Sequence, residues 1–550
     1  MLKCTINGKE VEVEPGTTII EAMYGKEREK KECDGKGGCG CSDKEDQHWK
    51  NGKVAHYCWH PGLSVAGVCR VCMVEIEGNP RTQIACNTMV TEGMKINNTS
   101  QKVKDSAKWG LDFHLINHPL DCPICDQAGE CGLQDQYMEF GKYNPEMAEK
   151  KVKKHKVVDL GPTVVLDSER CILCSRCVRF TEEITKTNEL GIFNRGDRSE
   201  IGTFDGRPLN NKYSLNTVDI CPVGALTSKD FRFRQRVWYL KDSNTICNGC
   251  STGCSVKVYF NKEGFYRVKP VYNGQVNSYW MCDEGRNLYK FVNRENRWLK
   301  AKKRTTTSSW EEIQPGAAAK EASSTVKAAG QSAALVLTGQ YTVEEYESIV
   351  SSFVNDLKST KIYHWWPHSA AAGEFDGMLI RGDKNPNTKG LLDVLAKFGV
   401  TSKWSDLVAG LSSGSIKTVI VAAPENQTAY GDFAERVKEL SKATSLIWMQ
   451  SAKNMAVESL SGNVWIIPMK SYVEKQGTFV NHAGLVQKFK KATTVVSEAL
   501  TLAEAGDLLV GKALTIRVDP NTFVEAARPM DRVTVEHRKK NEFVFKRGSL

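Results

Sequence analysis

Nearly half of this chain has no cysteine: residues 283–550 contain none, and all 19 lie at or before Cys282. A thiolate metal site in the second half is thereby excluded. No run of about 18 apolar residues occurs, so no transmembrane helix is expected. Met1-Leu2-Lys3-Cys4 enters an alternating strand pattern without an apolar h-region, so no secretory signal is expected either. No Walker loop, no acid–base pair and no glycine fingerprint set between a strand and a helix is visible, which argues against an independent catalytic site. The net charge of +10 is small for 550 residues. Basic runs at Lys150–Lys156 and Arg538–Lys540 lack any nucleic-acid motif and read as solvated faces.

What is present is cysteine in groups. With no export signal, clustered thiols in a large chain point to metal or redox chemistry rather than a disulfide framework. The length allows several domains, and 41% hydrophobic with 25% charged residues fits a globular protein. Residues 2–13 predict two short strands about Gly8-Lys9, and Thr17–Met23 a short capped helix, the way a ferredoxin-like 2Fe–2S domain begins. A polar, Cys-rich insertion follows at 25–56. A short strand is predicted at Met73–Ile76, and helices within 101–140. A charged connector spans 141–162, with further cysteine-rich units at 163–235 and 240–295. Thr305–Ser308 and Pro315–Lys320 read as a linker. Beyond them, strand-like Ala333–Thr338, Lys417–Ala423, Leu446–Met449 and Val464–Pro468 alternate with helical Val343–Leu357 and Tyr430–Leu440. That alternation predicts an α/β layer domain with a largely parallel sheet.

Four constellations carry the chemistry. Cys58, Cys69, Cys72 and Cys86 are spaced C-x10-C-x2-C-x13-C. A tight Cys-x-x-Cys turn flanked by two loop cysteines suits a 2Fe–2S cluster of a type distinct from the plant spacing, with zinc as the alternative. Gly62 and Gly67 let the backbone approach the sulfurs. His118, Cys122, Cys125 and Cys131 offer three thiolates and one imidazole for a 4Fe–4S cluster, with His114 the competing histidine one helical turn away. Cys171, Cys174, Cys177 and Cys221, the last followed by Pro222, have the ferredoxin 4Fe–4S spacing, and Cys221 should close the same cube. Arg170 and Arg176 either place positive charge near this cluster or are surface arginines. Cys247, Cys250, Cys254 and Cys282 form a fourth set, C-x2-C-x3-C-x27-C, for 4Fe–4S or zinc. Of the four remaining cysteines, Cys4 reads as a buried thiol. Cys33, Cys39 and Cys41, near His48 and His56, are either a further metal site or free loop thiols.

These residues resemble a known family. Asp121-Cys122-Pro123-Ile124-Cys125-Asp126-Gln127-Ala128-Gly129-Glu130-Cys131 looks like the diagnostic motif of the large iron–sulfur subunit of respiratory complex I. So do His60-Pro61-Gly62 after Cys58, Glu169-Arg170-Cys171 onward to Arg179-Phe180, and Asp219-Ile220-Cys221-Pro222-Val223-Gly224-Ala225-Leu226-Thr227, with Arg232-Phe233-Arg234 beyond. The fourth set resembles the cluster that opens the molybdopterin oxidoreductase fold, and Tyr472-Val473-Glu474-Lys475-Gln476-Gly477-Thr478-Phe479-Val480-Asn481 is similar to that fold as well.

The resemblance implies a multidomain α+β and α/β chain: a 2Fe–2S ferredoxin-like domain at 1–98 interrupted by 25–56, and a histidine-ligated 4Fe–4S domain at 99–140. A 4Fe–4S ferredoxin-like domain follows at 141–235, then a molybdopterin-oxidoreductase-type 4Fe–4S domain at 240–296 and a trimmed, pterin-free α/β scaffold at 297–550. One 2Fe–2S and three 4Fe–4S clusters are implied, and no molybdopterin. The implied role is electron relay from an NADH/flavin subunit toward quinone in NADH:quinone oxidoreductase, a translocase, with the fourth cluster off the path. The implied partners are the flavin/NADH-binding subunit and downstream iron–sulfur subunits of the peripheral arm, and the implied location is the cytoplasmic face of a bacterial inner membrane. The alternative is the electron-transfer subunit of an NAD-linked hydrogenase or formate dehydrogenase. The insertion at 25–56 and the short C-terminal part depart from the family pattern.

Overall fold

The computed structural model describes residues 1–24, 49, 51–142, 150–305, 309–366 and 374–513. Cys33, Cys39, Cys41 and His48 lie outside the described residues.

Strands β1 (Leu2–Ile6) and β2 (Lys9–Val13) form a hairpin turned by Asn7 and Gly8, both at positive φ, the geometry of a two-residue turn matched to strand twist. Helix α1 (Ile19–Tyr24) starts where Glu21 accepts from the Thr18 amide at 2.8 Å, and it buries Ile19, Ile20, Ala22 and Met23. β3 (Met73–Ile76), β4 (Gln83–Ile84) and β5 (Lys95–Asn97) complete a sheet of order β2-β1-β5-β3-β4. Cys4 is a buried thiol donating to the Val11 carbonyl. Helix α2 (Gln101–Leu115) is capped by Ser100, and α3 (Gly132–Phe140) begins directly after Cys131. Part of the charged connector ties back onto α2, with Lys151 Nζ donating to the Leu115 and Ile116 carbonyls at 2.8 and 2.9 Å.

The third cysteine unit rests on a small sheet of β6 (Val158–Asp159), β7 (Val164–Leu166) and, later in sequence, residues Leu226–Ser228. The hairpin of β8 (Leu190–Phe193) and β9 (Glu200–Thr203) lies outside that sheet, of which Leu226–Ser228 is β10. The one-turn helices here are α4 (Arg176–Arg179) and α5 (Asn216–Asp219). Next comes an antiparallel meander of β11 (Lys241–Ile246), β12 (Ser255–Asn261) and β13 (Gly264–Pro270), followed by α6 (Asp283–Asn287) and α7 (Tyr289–Val292).

The C-terminal part is a three-layer α/β unit. Its parallel strands are β16 (Ala333–Leu337), β17 (Ile362–His364), β18 (Thr418–Ala422), β19 (Ser445–Gln450) and β20 (Asn463–Pro468). They stand in the order β20-β19-β18-β16-β17, and β14 (Ala301–Arg304) with β15 (Glu311–Ile313) extends the β20 edge antiparallel. Helices α8 (Pro315–Ala329), α9 (Val343–Ser351) and α10 (Thr388–Lys397) cover one face. Helices α11 (Trp404–Ser412), α12 (Phe433–Leu440) and α13 (Met455–Glu458) cover the other. β16 and β18, buried along their whole length, lack the alternation of a half-solvated strand for this reason. The small hairpin of β21 (Gly477–Val480) and β22 (Val486–Phe489) and helix α14 (Leu502–Leu509) finish the unit.

Three expectations need correction. Pro315–Lys320 is not a linker but the first turns of α8. Pro315 sits where its missing N–H is not needed, and Ala318, Ala319 and Ala322 make a small, fully buried face. The helix expected over Val343–Leu357 is α-helical only to Ser351 and continues as a π turn over Ser352–Asp356. The helix expected from Tyr430 starts at Phe433.

Candidate metal centres

The Cys58 set lies under the first sheet. Its thiols fall within mutual hydrogen-bonding reach, Cys58 with Cys69 and Cys86, and Cys72 with Cys86. Those hydrogen bonds hold Cys58 low and push Cys69 up. Arg70, between Cys69 and Cys72, has φ 56°, a left-handed conformation that turns the chain tightly between two candidate ligands.

The Cys171 set shares this device. Leu173 (φ 54°) and Ser175 (φ 61°) are left-handed within the Cys171–Cys177 run. All four thiols line one small, largely enclosed space, walled by Leu166, Ile172 and Val223. Burial pushes Cys171 up to about 12 and Cys174 to about 11. Backbone amides aim at the sulfurs: Leu173 N lies 3.4 Å from Cys171 Sγ, and Cys221 faces the amides of Leu226, Val223 and Ala225. Buried thiols that stay protonated alone, ringed by amide donors, suit a positively charged metal group that draws off their protons.

In the His118 set, Cys125 and Cys131 are buried and Cys122 is exposed. Burial pushes Cys131 up to about 11. His118 is half-buried, and its Nδ1, itself buried, has no hydrogen-bond partner. Burial first, then Lys151 and Arg170, bring its pKa down to about 4, so it is the neutral imidazole a metal requires. His114 instead has Nδ1 2.7 Å from the Gly110 carbonyl of its own helix. Among the described residues no hydrogen bond joins His118 to the three thiols. They share Arg170, which acts on both His118 and Cys125.

The Cys247 set lines a small, largely enclosed space together with Leu379, Ile380 and Lys384 of the C-terminal unit. Cys282 caps α6, its Sγ accepting from Gly285 N at 3.3 Å. The C-terminal unit closes over this loop. Thr252 Oγ1 donates to the Leu379 carbonyl at 2.5 Å, His482 N to the Ser251 carbonyl at 2.9 Å, and Asn248 Nδ2 to Glu425 at 3.1 Å. Among the described residues no three His, Cys, Asp or Glu close round a point fit for one ion.

The loops touch in a definite order. Arg179 donates to the carbonyls of Cys58 and Ser64, and Arg176 to those of Trp59 at 2.6 Å and Ile220 at 3.1 Å, joining the first set to the third. Gly132 N donates to the Pro222 carbonyl at 2.9 Å, and Gly224 abuts Cys125, joining the third set to the second. Arg170 is not a surface arginine. It is buried and paired with Asp121 at 3.0 Å and Asp167 at 3.2 Å, and it acts on Cys125 as well as standing beside Cys171. Arg179, the left-handed turns and the Glu425 contact escape sequence reading, because each depends on what the fold brings alongside.

Four family models match. The "2Fe-2S iron-sulfur cluster binding domain" covers residues 1–101 and the "NADH-ubiquinone oxidoreductase-G iron-sulfur binding region" 110–145. The "NADH-quinone oxidoreductase subunit 3, ferredoxin-like domain" covers 161–227 and the "Molybdopterin oxidoreductase Fe4S4 domain" 240–294. Among curated relatives, the G-type subunit of NADH-quinone oxidoreductase from Rickettsia bellii is 34% identical over 315 residues, which is 57% of this chain and 43% of the relative. The mitochondrial NADH dehydrogenase [ubiquinone] iron-sulfur protein 1 of Solanum tuberosum is 41% identical over 44% of this chain and 33% of its own length. The chain thus spans less than half the length of the curated relatives it matches. A solved chain from the crystal structure of NAD+-reducing [NiFe]-hydrogenase in the H2-reduced state overlaps 43% of this chain and 91% of its own, at 24% identity and TM-score 0.35.

Proposed function

We propose that this chain, related through its cysteine-bearing part to the G-type subunit of NADH-quinone oxidoreductase, is an electron-relay subunit of a proton-pumping NADH:quinone oxidoreductase. Iron–sulfur clusters, when bound, supply one-electron chemistry. The chain's own residues hold them at fixed spacing, keep water away and set their potentials. One 2Fe–2S cluster falls to Cys58, Cys69, Cys72 and Cys86. Three 4Fe–4S clusters fall to His118 with Cys122, Cys125 and Cys131, to Cys171, Cys174, Cys177 and Cys221, and to Cys247, Cys250, Cys254 and Cys282.

The observation that carries the reading is the contact order of the loops. The Cys58 loop meets the Cys171 loop through two arginines, and the Cys221 loop meets the Cys125 loop through Pro222 and Gly224. A single line of carriers follows: 2Fe–2S, ferredoxin-type, histidine-type. The fourth set is bound up with the C-terminal unit and serves there as a structural staple off that line. The five-part division at 98, 140, 235 and 296 goes with this assignment.

The far end of the line supports a docking role. Phe113, Leu120, Ile124 and Met138 are exposed around the histidine-type site, as is Cys122 itself. A downstream iron–sulfur subunit there, and a flavin/NADH subunit at the other end, are the partners of this reading. Among the described residues no helix is long and apolar enough to cross a membrane. Attachment to the cytoplasmic face of a bacterial inner membrane would come through partners.

Metal analysis of anaerobically purified chain tests the assignment. Four clusters give about 14 irons per chain, and about 10 with one zinc returns the fourth set to zinc. Colourless, iron-free protein refutes the proposal. Co-purification with a nickel–iron or molybdenum subunit, instead of quinone-reducing membrane subunits, moves the chain to the hydrogenase or formate dehydrogenase class.

A further inference from the structure

Five arginines are buried among the described residues: Arg170, Arg179, Arg286, Arg297 and Arg436. Four of them have a carboxylate at ion-pair distance. Arg179 has none among the described residues. Its Nη1 donates to the Ser64 carbonyl, its Nη2 to the Cys58 carbonyl, and its Nε to Ser175 Oγ at 3.2 Å. The carboxylate on its own helical turn, Glu183, is engaged by the Ser64 amide at 2.8 Å and the Ser64 hydroxyl. Its neighbour Arg176 is half-buried, likewise donates to two carbonyls, and leaves Nε buried without a partner.

Two guanidinium charges therefore stand side by side between the first and third cysteine sets, with no carboxylate paired to either among the described residues. Burying a charge without a counter-charge is strongly unfavourable. Carbonyl dipoles and the nearby Glu183 carboxylate, which also acts on Arg179 without pairing to it, offset part of that, and what the cysteines hold would supply the rest. Cys58 on one side and Cys174 on the other are near enough to act on Arg179, and Arg176 acts on Cys174 and Cys221. A cluster held by four thiolates is an anion, and it becomes more so by one charge on reduction.

We propose that Arg179, seconded by Arg176, is a positioning residue shared by two carriers: its one cation raises the potential of the 2Fe–2S cluster on the Cys58 set and of the 4Fe–4S cluster on the Cys171 set together, while its fork fixes the gap between them. The inference rests on the cluster assignment above. Because both potentials move together, the driving force between the two carriers is nearly unchanged. What the arginine sets is their common level relative to the electron donor, and the rigidity of the gap. One electron leaves one carrier as the other gains it, with no bond or proton changing hands at the arginine.

The test is paramagnetic-resonance potentiometry on the full chain carrying its clusters, comparing wild type with Arg179→Gln and Arg179→Lys. A unit charge at about 10 Å across an effective dielectric of about 20 changes an occupancy ratio roughly tenfold. Arg179→Gln should thus lower the reduced-to-oxidised ratio of both clusters about tenfold at a fixed solution potential, a fall of about 59 mV for a one-electron couple. Arg179→Lys, which keeps the charge, should hold both potentials near wild type. Arg176→Gln carries the same expectation and serves where Arg179→Gln fails to load both sites. Unshifted potentials in a fully loaded variant, a shift confined to one cluster, or an equal shift in the lysine variant overturn this step alone. Iron-free sites in the wild type overturn the underlying assignment instead.

Discussion

Replacing Gly224 with alanine should empty the histidine-type site while its ferredoxin-type neighbour stays loaded. Gly224 has no left-handed φ, so alanine meets no backbone strain. The obstacle is space. A Cβ at Gly224 falls well inside 3.0 Å of Cys125 Sγ, a separation real Cβ atoms essentially never show, and it sits 3.1 Å from Gln127 Cβ. Relief requires the sulfur to retreat on the order of 1 Å, whereas a metal ligand tolerates about 0.2 Å. The backbone has little room to yield, because Gly132 N is bonded to the Pro222 carbonyl at 2.9 Å and Phe233 N to Asp126 at 3.0 Å. Overpacking of this kind costs about 1–3 kcal/mol, which falls on the ligand-bound geometry, since an unligated thiol can rotate away. Iron should drop from about 14 to about 10 per chain. One 4Fe–4S signal should vanish on reduction, and transfer from NADH to quinone should stop in the assembled complex. Full iron and an unaltered spectrum in the alanine variant would refute the placement of Cys125 as a ligand.

Exchange of His118 for alanine should likewise lower iron to about 10 per chain, while His114→Ala keeps its full complement; the reverse pattern transfers the ligand role. Glu130 is pushed up by burial but pulled further down by Lys269 and Arg267, to about 2. Its depressed carboxyl stabilises the fold fully above its unfolded value of about 4.5, by on the order of 3 kcal/mol, and that contribution fades as pH falls from there toward 2. The gap in thermal midpoint between wild type and Glu130→Gln should be constant above about pH 5 and narrow below it, and a gap that does not narrow contradicts the sign. Arg297→Met strands the fully buried Glu474, otherwise paired at 2.7 Å, and should cost about 3–5 kcal/mol in denaturant unfolding. A loss under about 1 kcal/mol would mean the carboxyl is satisfied without it.

Much of this molecule was legible beforehand because its chemistry is local. Cys-x-x-Cys turns, the strand–turn–strand pattern of residues 2–13 and the apolar strands of the C-terminal sheet announce themselves within a few residues. Failures came where a local pattern has two outcomes. The Ala-rich stretch after Pro315 is as compatible with a spacer as with a helix, and only the sheet it packs against decides. Arg176 and Arg170 could not be told from surface arginines, since the Trp59 carbonyl that Arg176 meets lies 117 positions away. The Tyr472–Asn481 run carried a resemblance but not its work. Lys475 forms a buried bridge to Glu345 at 2.9 Å and Glu425 at 3.2 Å, while Asn481 reaches the Thr252 carbonyl at 3.2 Å.

The closure of the Cys247 loop by Leu379 and His482 bears on how such a chain matures. The thiols at 247–254 leave the ribosome well over a hundred codons before the segments that shelter them, a lag of roughly 6 s or more at about 5–20 residues per second. Until then that loop is open to oxidants and stray metals, whereas the Cys171 set is complete once Leu226 has emerged. If the two sets hold clusters as proposed, iron reaches them at different times, and a ribosome stalled near residue 300 would release three assembled cysteine sets and one defenceless one.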